Sequence, residues 1–296
     1  MLHGIALRYF VEVARTGSLA TASEALHVAV SAISRQISKL EQELGAALFE
    51  RLPRGMVLTE AGELLVEHAR RTLLEADAVL SQISSNGKRD GGLVRIACTE
   101  GFTRTFLPTV LARHQQAAAM TRYVVRSGSP AHVEHSVAIG EADIGIAYAS
   151  TPSSLNVIYK AEAPIRALLN PSHPLASRTL ITIEDLKHYP LALLERGTTI
   201  RDLFDLCCAN HGVKIEPALV TNNSALMDTF ASLSHAIALG GAASLKGLAK
   251  PSLISLPFDE PVLNERVLRV VTMRGRRLSP LIEELIEAIL LGLDRD

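Results

Sequence analysis

The spacing of apolar residues changes character once along this chain, near residue 90, and that change decides what it can fold into. Before it, apolar positions recur every three or four residues, the period of an amphipathic helix. Leu7, Phe10, Val11 and Ala14 make one such stripe, Leu19, Ala22 and Leu26 a second, and Ile33, Ile37, Leu40 and Leu44 a third. After it, short aliphatic runs alternate with helical stretches, the pattern of an α/β unit with mainly parallel sheets. The chain therefore reads as a helical head followed by an α/β body.

Within the head, Gly17-Ser18 interrupts the first stripe, and Ser18 is placed to cap a second helix. A turn near His27–Ala29 leads into the third helix, which Gly45 stops, and Arg51-Leu52-Pro53-Arg54-Gly55 reads as a tight turn between two short extended pieces. A long helix begins after Thr59, with Glu60 and Glu63 in its first turn. Along it Ala69, Leu73, Ala76, Leu80 and Ile83 follow a coiled-coil spacing, which an amphipathic helix packed on its own domain also produces. The helix ends near Gly87, and residues 88–92 read as a hinge.

In the body, strands are expected at Leu93–Cys98, Arg122–Arg126, Asp143–Tyr148, Ile165–Leu169, Leu191–Leu194, Ala218–Thr221, Ala236–Leu239 and Val267–Thr272. Helices are expected at Arg104–Gln116, Ala131–Ile139, Ile200–His211, Ala225–Ser234 and Pro280–Leu293.

The third helix carries the functional signal. Opposite its aliphatic stripe lie Ser31, Ser34, Arg35, Ser38 and Gln42. Small hydroxyls allow close approach to base edges, and an arginine can bond guanine through two N–H groups. Lys39, Arg51 and Arg54 are placed to meet phosphates. Taken alone, the same face reads equally well as an ordinary solvated surface. Charge does not decide between the two, because residues 1–60 hold six basic and six acidic side chains and the whole chain carries a net −1. Binding to nucleic acid must then come from placement of a few cations.

A set of spaced residues does decide. Phe10-Val11-Glu12-Val13-Ala14, Gly17-Ser18, Ala22, Ala25-Leu26, Ser31-Ala32-Ile33-Ser34-Arg35-Gln36-Ile37, Leu40-Glu41, Leu44-Gly45, Leu48-Phe49-Glu50-Arg51 and Leu58-Thr59-Glu60-Ala61-Gly62 resemble the DNA-binding head of the LysR-type transcriptional regulators. The resemblance implies a winged helix-turn-helix over residues 1–59, with the third helix in the major groove and the wing on the backbone. It also implies a linker helix over 60–87 that pairs two subunits, and residues at the DNA that include Ser18, Val30, Ser31, Ser34, Arg35, Ser38, Lys39, Arg51 and Arg54. One departure stands out. The family commonly enters this helix through Ser-Gln-Pro or Ser-Gln-Ser, where this chain has Ala29-Val30-Ser31. The usual serine cap is missing, so either Ser31 caps a helix that starts later or the helix end is weaker by about 1 kcal/mol. Val30 can touch a thymine methyl but cannot hydrogen-bond a base.

The resemblance continues over residues 92–296 in Gly92-Leu93-Val94-Arg95-Ile96, Leu107-Pro108, Gly140-Glu141-Ala142-Asp143-Ile144, His173-Pro174-Leu175, Asp185-Leu186 and Pro190. It implies a two-lobed α/β effector domain like the periplasmic binding proteins, lobe one at about 93–161 and 267–296, lobe two at about 162–266. The chain should cross between lobes near Ala161–Ala163 and Asn264–Val267. Ligands of open parallel sheets sit beyond the carboxyl ends of strands, beside helix N-termini. This places a small-molecule effector against Thr99, Glu100, Gly101, Phe102, Ser127, Gly128, Ser129 and Tyr148 of lobe one and Thr198, Thr199, Asn222 and Gly240 of lobe two. Such residues are also ordinary turn and cap formers. Helix N-termini with Arg126, Arg196 or Arg201 favour an anionic effector, whereas Glu100 argues against an anion or for an amino group on the effector.

No apolar run approaches the roughly 18 residues of a membrane span. The start Met1-Leu2-His3-Gly4-Ile5 has no secretory pattern, and three cysteines make no disulfide framework, so a cytoplasmic protein is expected. Cys207 and Cys208 read as packing thiols rather than a redox switch, and His132 with His135 lacks the companions of a metal site. No nucleophile–base set or cofactor motif is visible, and no cofactor beyond the effector is expected. Of the rival readings, a helix-turn-helix fused to a catalytic α/β domain lacks such a set, and a transport solute-binding protein lacks the head. The resemblance further implies a dimer or tetramer of this chain and contact with RNA polymerase.

Overall fold

The computed structural model describes residues 4–53, 55–84, 92–241 and 253–295. It divides into two compact units, Met1–Lys88 with Gly275–Leu278, and Arg89–Arg274 with Ser279–Asp296. Arg54, hinge residues 88–91, and the side chains of Leu80 and Ile83 lie outside the described residues.

The first unit is a winged helix-turn-helix. Helices α1 (Ile5–Thr16), α2 (Leu19–Leu26) and α3 (Val30–Leu44) precede a hairpin of β1 (Phe49–Leu52) and β2 (Gly55–Leu58), and α4 (Glu60–Ser84) follows. Leu7, Phe10, Val13, Ala22, Ile33, Ile37, Leu40, Leu48 and Phe49 close one core with Leu65, Val66 and Ala69 of α4. Ser18 caps α2, its Oγ accepting from Thr21 N at 3.3 Å. The turn before α3 is made by His27 in the left-handed region at φ 54°. The wing is fastened to the end of α1, where Met56 N donates to the Gly17 carbonyl at 2.8 Å. A Cβ on Gly55 would lie 2.5 Å from that carbonyl oxygen, so the close approach requires glycine. Thr59 anchors α4: its hydroxyl donates to Ala47 O at 2.7 Å and accepts from Gly62 N at 3.0 Å.

Two expectations for the head are corrected. Helix α3 starts at Val30 with Ala29 at the cap position and no side-chain cap, so Ser31 lies inside the helix and does not start a later one. Leu44 is not inward: at the last turn of α3 it is 41% exposed, since Gly45 turns the chain away before a core can cover it.

The second unit has two lobes, each a five-stranded sheet. Lobe one contains β3 (Leu93–Cys98), α5 (Phe106–Ala117), β4 (Arg122–Ser127), α6 (Pro130–Ala138), β5 (Ile144–Ala149), β6 (Asn156–Glu162), β12 (Val267–Thr272) and α10 (Pro280–Arg295), with sheet order β4-β3-β5-β12-β6. Lobe two contains β7 (Arg166–Leu169), α7 (Ile183–Leu186), β8 (Leu191–Leu194), α8 (Thr199–Asn210), β9 (Leu219–Thr221), α9 (Ser224–Ser232), β10 (Ile237–Gly240) and β11 (Ile254–Pro257), in the order β11-β7-β10-β8-β9. The expectation of mainly parallel sheets is corrected to mixed ones. β3 pairs in parallel with β4 and β5, and β8 with β9 and β10, but β6, β7, β11 and β12 all pair antiparallel. Those four strands flank the two places where the chain changes lobe, and passing straight from one sheet into the other reverses strand direction. The crossings are bonded to each other: Ala163 N donates to Arg266 O at 2.9 Å and Ile165 N to Leu263 O at 2.9 Å.

Candidate functional site

In the head, α3 has one buried side and one exposed side. Ile33, Ile37 and Leu40 are buried, while Val30, Ser31, Arg35, Lys39 and Gln42 on the same helix are exposed and Ser34 and Ser38 half-buried. This two-sidedness follows from the heptad-like spacing of the aliphatic residues, which turns the serines outward. Arg51, on β1, is exposed, and half-buried Ser18 caps α2 as an acceptor, leaving its hydroxyl able to donate. Three of the six acidic residues that cancel the head's charge, Glu12, Glu41 and Glu43, have local partners. Glu41 Oε1 accepts from Leu48 N at 2.8 Å, fixing the approach to the wing, and Glu12 holds Arg15. Glu43 lies 3.9 Å from Lys39, an exposed pair that water weakens and a phosphate can replace.

In the second unit, the carboxyl ends of the parallel strands from both lobes meet. Glu100 and Phe102 belong to a short 3-10 turn after β3. The Glu100 carboxylate accepts from Ser224 N at 3.1 Å, at the first turn of α9 in lobe two. Arg104 of lobe one meets Asp228 of α9 at 2.7 Å, and Thr199 Oγ1 of α8 donates to Tyr148 O at 2.9 Å. Tyr148 stacks on Phe102 with centroids 4.8 Å apart, and the Arg266 guanidinium lies 4.1 Å from the Tyr148 ring centroid. Gly101 lies beside the same ring: a Cβ there would be 3.9 Å from Tyr148 Cε2.

The remaining sequence-nominated residues have mostly local roles. Ser129 caps α6 and Thr198 caps α8, each accepting from the third helical amide. Gly128 N donates to Cys98 O, Ser127 ends β4 exposed, Asn222 is exposed, and Gly240 is buried at the end of β10. Arg126, Arg196 and Arg201 are each matched with a carboxylate, at 3.9 Å from Glu141, 3.7 Å from Asp205 and 2.8 Å from Asp205. The Glu100 carboxylate is held at the N-terminus of α9 and acts as a negative charge on Asp228 and Cys98.

Sequence reasoning missed Arg104, Asp228 and Arg266. Burial pushes the Asp228 carboxyl up to about 6, against the pull of Arg104, and lowers the Arg266 guanidinium to about 10. Thr99 Oγ1, Asp228 Oδ1 and Arg266 Nη2 are buried polar atoms with no hydrogen-bond partner among the described residues. Cys207 and Cys208 are buried in the lobe-two core, where desolvation raises the thiols to about 12 and about 11. Cys207, His211 and Glu260 bring their donor atoms within 4.8 Å of one another, with His211 Nε2 at 2.8 Å from Glu260.

A winged helix-turn-helix joined in one chain to a two-lobed α/β unit with a polar cleft is a DNA-binding regulator with an effector domain. The family model for the bacterial regulatory helix-turn-helix protein, lysR family, matches residues 5–63, and that for the LysR substrate binding domain matches residues 87–293. The chain belongs to the LysR-type transcriptional regulators. It is 27% identical to the uncharacterised HTH-type transcriptional regulator YbhD of Escherichia coli K12, over 98% of this chain and 91% of that one. In structure it is similar to a full-length OxyR variant from Pseudomonas aeruginosa, at TM-score 0.65 and 20% identity, covering 98% of this chain and 95% of the other. It is also similar to full-length CbnR in complex with its target DNA, at TM-score 0.52 and 20% identity, covering 97% of this chain and 98% of that one.

Proposed function

We propose that α3 enters the major groove of an operator and reads it through Ser31, Ser34, Arg35 and Ser38, with Val30 against a thymine methyl. Lys39, Arg51, Arg54 and Ser18 hold the flanking phosphates. The observation that carries this reading is the exposure of Arg35 and Ser31 on a helix whose opposite side is sealed by Ile33, Ile37 and Leu40. Two copies of the chain pair through α4, and effector domains join dimers into a tetramer. Recognition helices then meet half-sites separated by multiples of about 34 Å.

A small molecule enters between the lobes, against Thr99, Glu100, Gly101, Phe102, Ser127, Gly128, Ser129, Tyr148, Thr198, Thr199, Asn222 and Gly240. It alters the angle between effector subunits, and with it the spacing of the heads and their contact with RNA polymerase. The protein acts in the cytoplasm, without catalysis and without a resident cofactor or metal. No helix among the described residues is long and apolar enough to cross a membrane.

The test is a gel-shift assay with DNA upstream of the chain's own gene and its divergent neighbour. Wild type shifts this DNA in preference to a scrambled duplex, and Arg35→Ala with Ser34→Ala abolishes the preference. Equal preference in wild type and variant overturns the assignment of α3.

A further inference from the structure

We infer that the cleft effector carries a carboxylate, and that Arg266, with Thr99, is the residue that receives it. This rests on the cleft reading above and adds the charge of the ligand.

Arg266 is 2% exposed and lies in the second crossing between lobes. Its Nε donates to Ala163 O at 2.7 Å, and its guanidinium covers the Tyr148 ring. A buried guanidinium ordinarily faces a carboxylate, because an uncompensated charge away from water is costly. Among the described residues Arg266 has no ion-pair partner, and residues 242–252 contain no Asp or Glu that could supply one. Among the described residues its Nη2 has no hydrogen-bond partner.

That donor is placed at the end of a strand. A Cβ on Gly241, directly after β10, would lie 2.5 Å from Nη2, so the glycine leaves the space the guanidinium uses. On the lobe-one side, Thr99 follows β3 and its hydroxyl is buried without a partner. Tyr148, under the guanidinium, lies near the end of β5 and takes the interlobe bond from Thr199. The unmatched cation and the unmatched hydroxyl thus both belong to the strand ends that bound the cleft. Of the arginines first expected to favour an anion, Arg126 faces Glu141 while Arg196 and Arg201 share Asp205; Arg104 faces Asp228. One unmatched buried charge suits a single carboxylate better than a phosphate dianion, and the stacked Tyr148 and Phe102 rings give its carbon skeleton an apolar wall.

The experiment measures thermal unfolding of the full chain with benzoate, succinate and 2-oxoglutarate, beside neutral benzamide and succinamide. The expected result is that at least one carboxylate raises the midpoint and neither amide does. Arg266→Gln then raises its half-saturating concentration about ten- to hundredfold, the range for a lost charge-assisted bond, and Arg266→Lys restores part of it. Without ligand, the Arg266→Gln midpoint stays within a few degrees of wild type or rises, because removing an unpaired buried charge relieves the folded state; loss of a merely structural arginine lowers it. The proposal is overturned if no carboxylate stabilises the protein, or if Arg266→Gln lowers the ligand-free midpoint and leaves carboxylate affinity unchanged. An amide that stabilises wild type and Arg266→Gln alike, but not Thr99→Ala, overturns the carboxylate and keeps the cleft. A carboxylate that stabilises wild type, Arg266→Gln and Thr99→Ala equally removes the cleft reading itself.

Discussion

Arg104 and Asp228 belong to opposite lobes, and their side chains meet at 2.7 Å with the aspartate 4% exposed. Asp228 releases its proton at about 6 in the folded domain, against 3.8 for the free side chain, chiefly because burial opposes the charge. The folded state therefore binds the proton more tightly than the unfolded state. Stability from this group is fully present below 3.8 and is lost as pH rises to about 6. The two-unit difference corresponds to a change on the order of 3 kcal/mol. Urea unfolding between pH 4 and pH 6.5 should show stability falling with pH in wild type, and the slope should flatten in Asp228→Asn. An unchanged slope in the variant would mean that another group carries the titration.

At neutral pH the ionised pair joins the lobes, and removing only the cation leaves a buried charge uncompensated. Arg104→Ala should therefore destabilise the effector domain by roughly 3–5 kcal/mol, more than an exposed pair could. The double variant with Asp228→Asn should recover a substantial part of that loss. Additive losses in the double-variant cycle would show that the two residues do not act as a pair.

How far the sequence foretold this arrangement depends on where each residue sits. Leu93–Cys98, Leu191–Leu194 and Val267–Thr272 are strands with the expected bounds, because central strands covered by neighbours on both edges read as continuous aliphatic runs. The strands Asn156–Glu162 and Ile254–Pro257 were not foreseen. Both lie at sheet edges, where a mixed sequence such as Asn-Val-Ile-Tyr-Lys-Ala-Glu, or a strand ending in proline, pairs without an alternating signature. At the cleft, Thr99, Glu100, Tyr148 and Thr199 were legible because strand ends and helix starts can be counted along the chain. Arg266 was not, since an arginine in a connecting segment reads as solvated. Its burial exists only once Tyr148 and Gly241, far apart in sequence, close around it.

Arg35 on α3 and Arg51 on the wing strand β1 predict two kinds of DNA-binding loss. Arg35→Ala should cost about 1–3 kcal/mol on the operator and relax preference at one base pair. Arg51→Ala should weaken operator and non-specific DNA alike and lower the slope of log affinity against log salt by about one. Fluorescence anisotropy at several salt concentrations separates them. Identical salt slopes for wild type and Arg51→Ala would remove Arg51 from the phosphate contacts.

The thiols offer a test of burial against redox chemistry. Only a thiolate attacks a disulfide reagent, and Cys98, Cys207 and Cys208 are all buried with thiols raised to about 12, about 12 and about 11. For Cys207 the causes are desolvation first and then the Glu260 carboxylate; for Cys208 they are desolvation and then Asp205. At pH 8 the thiolate fraction is about one in a thousand for Cys208 and about one in ten thousand for Cys98 and Cys207, roughly two and three orders under a free cysteine. Native protein should therefore react with Ellman's reagent only at the rate of its own unfolding, and urea should release three thiols together. Rapid native reaction of one thiol that Cys207→Ser or Cys208→Ser abolishes would show that lobe two opens at α8 and would return the adjacent cysteines to consideration as a redox sensor.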